Sequence, residues 1–327
     1  MSGYSLELCA GAGGQAIGLE RAGFEHAGLV EIDPHACATL RLNRPAWAVH
    51  EEDLNLFDGR LYKGVDLLAG GFPCPPFSIA GKQLGADDER DCFPAGLRII
   101  DEVRPKAVMI ENVKGILAPA FEEYRTHIDE RLKKLGYVTQ WKLLNAADYG
   151  VSQLRPRVVI VALKKQYASE FVWPEKIKKA PTVGRLLGDL MGSRGWAGVD
   201  EWKKLANAIA PTVVGGSKKH GGPDLGPTRA RAAWASLGVD GLGIANEPPD
   251  ENFKGMPRLT TRMVARVQGF PDQWEFAGKK TAAYRQVGNA FPPPVAFAVA
   301  AEIARAIKRT KSPVRRTREK VWHAELI

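Results

Sequence analysis

Tyr4-Ser5-Leu6-Glu7-Leu8-Cys9-Ala10-Gly11-Ala12-Gly13-Gly14-Gln15-Ala16 is the stretch on which the fold turns. Tyr4 to Cys9 reads as a buried strand, and Gln15 to Ala22 as the helix that follows. Glycines between them let the backbone approach a ligand, and the helix N-terminus offers unpaired N–H groups. Glu31 lies about twenty residues past Gly11, after the second strand, where a carboxylate can bind ribose hydroxyls. NAD, FAD and S-adenosylmethionine all suit this pattern. A turn that only packs strand on helix is the rival reading, and Glu31 argues against it. Asp53, in Glu52-Asp53-Leu54 after a third strand, can accept a hydrogen bond from an adenine amino group or serve as a solvated loop acid.

Outward from that stretch, apolar runs alternate with amphipathic ones up to about residue 165. Ala27 to Val30, Val65 to Ala69, Ala107 to Ile110, Val138 to Leu144 and Val158 to Leu163 read as strands. His35 to Leu42, Gly96 to Val103 and Phe121 to Leu135 read as helices. Alternation of this kind predicts an α/β fold: a doubly wound, mainly parallel sheet with helices on both faces and ligands at the strand C-termini. From about Pro181 to Gly255 the texture changes to Gly, Pro, Trp and basic residues without sustained periodicity. That region reads as a small, loop-rich domain anchored on Trp196, Trp202 and Trp234. Thr260 to Gln268, ended by Gly269 and Pro271, and Val295 to Lys308 read as helices that return to the core. The predicted division is 1–178 completed by 256–310, a second domain over 179–255, and a basic tail over 311–327.

With 327 residues, 45% of them hydrophobic and 25% charged, the chain has the make-up of an ordinary globular protein. A net charge of +9 favours polyanionic partners, nucleic acid first. Four cysteines (Cys9, Cys37, Cys74, Cys92) lack the spacing of a zinc knuckle, so no metal is expected and free thiols in a reducing compartment are. There is no basic-then-apolar leader, and no uninterrupted apolar stretch is read as long enough to cross a bilayer. The expectation is a cytoplasmic protein with no membrane partner.

Two strand ends carry the chemistry. Gly71-Phe72-Pro73-Cys74-Pro75-Pro76-Phe77-Ser78 follows one apolar run, and Glu111-Asn112-Val113 follows another. Prolines on both sides of Cys74 stiffen its backbone. A cysteine among loop prolines is a poor core filler, which disfavours the reading of Cys74 as a small buried hydrophobe. A thiolate is a strong covalent nucleophile, and a nearby carboxyl can proton-couple its attack. Gln153-Leu154-Arg155-Pro156-Arg157 supplies candidate cations, and strand alternation predicts that both arginines share one face. Salt bridges to surface acids are their bland alternative.

In order along the chain, Ala-Gly-x-Gly-Gly, Pro-Cys, Glu-Asn-Val, Gln-x-Arg-x-Arg, Arg-Leu-Thr-x-Arg, Gln-Gly-Phe-Pro and Gly-Asn-Ala resemble the DNA (cytosine-5)-methyltransferase family. The match covers about 4–165 and 256–308, with the variable stretch where that family keeps its target-recognition domain. The resemblance implies S-adenosylmethionine as methyl donor, S-adenosylhomocysteine as product, and cytosine in duplex DNA as acceptor. Cys74 is then the nucleophile and Glu111 its acid partner, with Arg155 and Arg157 around the flipped base. Glu31 takes the ribose and Asp53 the adenine. Cys9, Gly11, Gly13 and Asn289 line the amino-acid end of the cofactor, with Ala10, Gly14, Ile32 and Leu54 completing its site. Pro73, Asn112, Lys218, Lys219, Arg229 and Arg231 are expected at the DNA.

Three departures stand out: Pro75 where glutamine is usual, Cys9 where phenylalanine is usual, and Ala80 where serine is common. The resemblance further implies a monomer, either the modification half of a restriction system with a separate endonuclease or a solitary relative, placed at the nucleoid when on DNA. A silent DNA-binding relative and a tRNA cytosine-5 methyltransferase are the alternatives. The intact Cys74, Glu111 and arginines argue against the first, and the long variable region against the second. A nicotinamide dehydrogenase accounts for the glycine turn alone.

Overall fold

The computed structural model describes residues 3–73, 91–177, 179–215 and 222–308. Seven strands form one sheet: β1 (Gly3–Leu8), β2 (Phe24–Glu31), β3 (Val49–Glu51), β4 (Leu67–Gly71), β5 (Ala107–Val113), β6 (Tyr137–Asn145) and β7 (Pro156–Lys164). Their order is β3-β2-β1-β4-β5-β7-β6. The first five run parallel, whereas β7 is antiparallel to both β5 and β6. The expected fold class holds. The reversal of β7 follows from the short connection to β6, which makes the pair a hairpin rather than a crossover.

Alternation along the strands sorts the core. Leu6, Leu8, Leu68, Val108 and Ile110 face α3 (Phe93–Val103) and α4 (Glu122–Lys134). Leu67, Ala69, Ala107 and Met109 face α11 (Pro293–Lys308) on the other side. There α11 crosses α1 (Gly14–Arg21) so closely that a Cβ on Gly18 would lie 2.5 Å from that of Ala296. Side chains on both sheet faces are thus buried, as a parallel α/β sheet requires.

Three short helices complete the first half or lie in the variable region: α2 (Pro34–Asn43), α5 (Lys165–Ala168) and α6 (Val183–Gly192). Then come α7 (Val199–Leu205), α8 (Thr228–Ala235), α9 (Thr261–Gln268) and α10 (Lys280–Asn289). The region expected to be loop-rich therefore holds three helices, α6 to α8, besides its loops. Two glycines let α6 sit close against α7. Gly184 and Gly188, one turn apart, face α7, and a Cβ on Gly184 would fall 2.5 Å from the Lys203 carbonyl oxygen. Trp202 and Trp234 are fully buried and Trp196 nearly so, as the sequence predicts. They share one core with Ala16, Ile17 and Leu40 of the sheet's helices, so the variable region is packed against α1 and the helix Pro34–Asn43.

Across α10 and α11, residues Lys280–Lys308 are long and apolar enough to span a bilayer by length and composition, contrary to the sequence reading. The stretch is broken after Asn289, and 67% of its most apolar window is buried against the protein.

Candidate active site

Register brings the two chemical strand ends together. Gly71 of β4 pairs with Glu111 of β5. Asn112 Nδ2 donates to the Phe72 carbonyl at 3.1 Å, and Asn112 Oδ1 accepts from the Val113 N–H at 2.8 Å. A Cβ on Gly71 would stand 3.3 Å from Glu111 Oε2, which places that oxygen close over the end of β4. Pro73 is exposed at the rim just beyond. Cys74 itself lies outside the described residues; its chain leaves the sheet beside the Glu111 carboxyl. Asn112, expected at the DNA, is buried and bonded to Phe72, so that it ties the ends of β4 and β5 together.

Arg157 Nε meets Glu111 Oε1 at 2.8 Å, both side chains largely buried. Burial pushes the Glu111 carboxyl above its ordinary value, while the Arg157 and Arg155 guanidinium groups pull it back. A carboxyl raised in this way keeps its proton to higher pH than an ordinary one, as a general acid requires. Its Oε1 is tied to the cation, and its Oε2 lies over Gly71 at the end of β4.

Both guanidinium charges are felt by Glu111, but only Arg157 pairs with it. Arg155 stands just before the regular strand, which begins at Pro156. Its guanidinium, 1% exposed, donates to the carbonyls of Val213 at 2.6 Å, Gly288 at 2.8 Å and Ala290 at 3.1 Å. Gln153 joins it, receiving the Val213 N–H and donating to Gln268 Oε1 at 2.6 Å. Gln268 Nε2 in turn donates to the Ala290 carbonyl at 2.8 Å. Burial lowers the Arg155 pKa to about 9, which still leaves it a cation at neutral pH. Arg155 thus knots three chain segments beneath the site and does not line it. Nothing in the sequence pointed to this knot beyond glutamines in two separate motifs.

Around the glycine turn, each glycine has a distinct cause. A Cβ on Gly11, at φ +54°, would meet nothing, so this position opens onto free space. At Gly13 it would press on Leu40 and Trp274, and at Gly14 on the Phe291 carbonyl. Those two are demanded by protein packing. Glu31 accepts from the N–H groups of Gly11 (2.7 Å), Ile32 (2.9 Å) and Asp33 (2.8 Å), which fixes its carboxylate at the turn. Ile32 beside it is 63% exposed, an apolar surface at the rim, and Leu54 is buried. Asp53 is partly exposed and its Oδ1 accepts from Asn55 N–H at 2.9 Å. Ala10 is buried, donating its N–H to the Val30 carbonyl.

Cys9 takes a left-handed backbone, φ 53°, and its thiol is hydrogen-bonded to that of Cys92 at the start of α3. That bond and burial, with Glu31 and Asp53 nearby, raise the Cys9 thiol pKa; the same bond lowers that of Cys92. Cys92 at this corner was missed in the sequence, where it stands far from any motif. Asn289, the exposed last residue of α10, lies against Gly215: a Cβ there would fall 2.4 Å from Asn289 Oδ1. Arg229 is exposed in the first turn of α8, whereas Arg231, two residues on, packs its stem over Gly241 and donates from its exposed guanidinium to Thr228 Oγ1. Lys218 and Lys219 lie outside the described residues.

A sheet of this order with a glycine turn at β1 and a buried acid at β5 defines a nucleotide-cofactor α/β enzyme. The profile of the C-5 cytosine-specific DNA methylases matches residues 4–305, and the chain belongs to that family; it is a DNA (cytosine-5)-methyltransferase. The Type II methyltransferase M.NgoMIV of Neisseria gonorrhoeae is 59% identical, over 93% of this chain and 98% of the relative. M.NaeI of Lentzea aerocolonigenes is 56% identical, over 92% of this chain and 75% of that protein. The solved structure of a Spodoptera frugiperda DNMT2 mutant superposes with a TM-score of 0.64 at 18% identity, covering 93% of this chain and 99% of that one, a likeness of fold.

Proposed function

We propose that the protein transfers a methyl group from S-adenosylmethionine to C5 of a cytosine turned out of a short duplex recognition sequence, with Cys74 as covalent nucleophile. The observation that carries this reading is the β4–β5 register, with Glu111 Oε2 over Gly71 at the root of the Cys74 loop. The cofactor supplies an electrophilic methyl on a sulfonium. Open space at Gly11, the fixed Glu31 carboxylate, exposed Ile32 and the Asp53 carboxylate suit its amino-acid, ribose and adenine parts.

Cytosine C5 is a poor nucleophile until the ring is activated. The Cys74 thiolate adds to C6, forming an S–C6 bond, while Glu111 protonates or hydrogen-bonds N3. The electron pair released at C5 attacks the methyl carbon, and the methyl–sulfonium bond breaks. A base then takes the C5 proton, and the S–C6 pair returns to sulfur as the thiolate leaves. Ring-face access requires the base to leave the stack, at a cost of a few kcal/mol. Arg157 holds Glu111 and is placed to meet the base; Arg155 is a positioning residue.

Residues 179–255 act as the target-recognition domain, with Lys218, Lys219 and Arg229 directed to DNA, where arginine reads guanine and lysine neutralises phosphate. The two relatives over half identical are both named Type II methyltransferases, which supports a modification role beside a separate endonuclease. A monomer acting in the cytoplasm on chromosomal DNA is the simplest form of this reading. Bisulfite sequencing of plasmid from cells expressing the chain tests it. Methylated cytosines at one short motif, absent with Cys74→Ser, are expected; methylation persisting with Cys74→Ser overturns the nucleophile assignment.

A further inference from the structure

Arg98, in the middle of α3, reaches back to the loop that follows β3. Its Nη2 donates to the carbonyls of Leu54 at 3.0 Å and Asn55 at 3.3 Å, and its Nη1 to that of Phe57 at 3.0 Å. The same Nη1 meets Glu102 Oε1 at 2.7 Å, one turn along α3. Glu102 Oε2 accepts the Gly59 N–H at 2.8 Å. Two side chains of one helix therefore grip both sides of residues 54–59.

Apolar anchors hold the loop to the core, and Arg98 and Glu102 fix its carbonyls. Leu54 and Phe57 are buried, but Leu56 is 76% exposed and Asn55 is exposed too. Asp53 opens the loop: its carbonyl accepts from Leu56 and Phe57, and its Oδ1 from Asn55. The direction of its carboxylate thus depends on where the following carbonyls are fixed. A planar guanidinium can bind three carbonyls and a carboxylate at once; an ammonium cannot reproduce the fork.

We propose that Arg98, braced by Glu102, is the positioning residue for adenine recognition, holding Asp53 where it accepts a hydrogen bond from the 6-amino group. The inference rests on the reading of Asp53 given above and adds the device that aims it. Loss of Arg98 then weakens cofactor selection and leaves the chemistry at Glu111 alone.

Calorimetric titration of the full chain tests this with two probes: S-adenosylhomocysteine, and its analogue carrying purine without the amino group. The wild type is expected to prefer the adenine compound by about tenfold, one hydrogen bond's worth. Asp53→Ala and Arg98→Met should both abolish the preference, and Arg98→Lys should restore only part of it. In Arg98→Met the KM for S-adenosylmethionine should rise about as much as that preference falls, with kcat at saturating cofactor within about twofold of wild type. Should Arg98→Met not fold, Glu102→Gln carries the test with a smaller loss of preference. A preference lost in Asp53→Ala but kept in Arg98→Met and Glu102→Gln overturns the clamp alone. A preference kept in Asp53→Ala overturns the adenine reading and the clamp with it.

Discussion

Arg155 and Arg157 stand two residues apart, yet they inhabit different regions and teach different lessons. Arg157 lies at the rim, paired with the Glu111 carboxyl. Arg155 lies in the knot below, its two Nη groups donating to backbone carbonyls while its buried Nε has no partner among the described residues. One guanidinium holds a side chain that can carry a proton; the other ties backbone segments together. Chemistry belongs to the first arrangement and rigidity to the second.

The largest effect should come from the rim. Glu111→Gln keeps shape but removes a proton donor, and kcat should fall roughly 10²- to 10⁴-fold with an unchanged melting curve. A drop under tenfold would move the acid role elsewhere. In the knot the outcome reverses: Arg155→Met strands three buried carbonyls and should cost about 3 kcal/mol of stability, read in urea unfolding. Activity loss with full stability would show that Arg155 reaches the substrate after all.

Arg157→Met should give a subtler signature. Removing the cation leaves burial dominant, so the Glu111 carboxyl rises further and the alkaline limb of the kcat profile shifts to higher pH. A shift to lower pH would reverse the assigned roles. The smallest effect concerns Glu7, fully buried on β1 with its pKa raised well above the ordinary value, chiefly by burial. Its neutral form is fully compatible with the fold below the unfolded-state pKa, and that contribution is lost as pH rises through the raised folded value. The melting temperature of wild type should therefore drop relative to Glu7→Gln as pH increases; parallel curves would mean that Glu7 stays uncharged or partnered throughout.

The same contrast governs how much of the molecule was legible. Strands such as Ala107 to Ile110 declare themselves because both faces are buried and the run is continuous. Glu111 alone would pass as a strand-end acid; Asn112 and Val113 after it, at the rim that follows an apolar run, are what drew notice to it. The buried carbonyl contacts of Arg155 were not legible because they come from Val213, Gly288 and Ala290, far along the chain. The helix α6 was hidden because its region shows no sustained periodicity, and Gly184 and Gly188 pack only once α7 is laid across them. Cys92 and Arg98 could not be read at all: each acts through a contact with a residue tens of positions away that no local pattern encodes.

The central claim is that Cys74 and Glu111 meet on one cytosine. A duplex carrying 5-fluorocytosine at the methylated position, incubated with S-adenosylmethionine, tests it directly, because fluorine cannot leave C5 as a proton would. The account predicts a denaturation-resistant protein–DNA adduct whose peptide mass maps to Cys74, forming much more slowly in Glu111→Gln and not at all in Cys74→Ser. An adduct on another residue, or methyl transfer that leaves none, would contradict it.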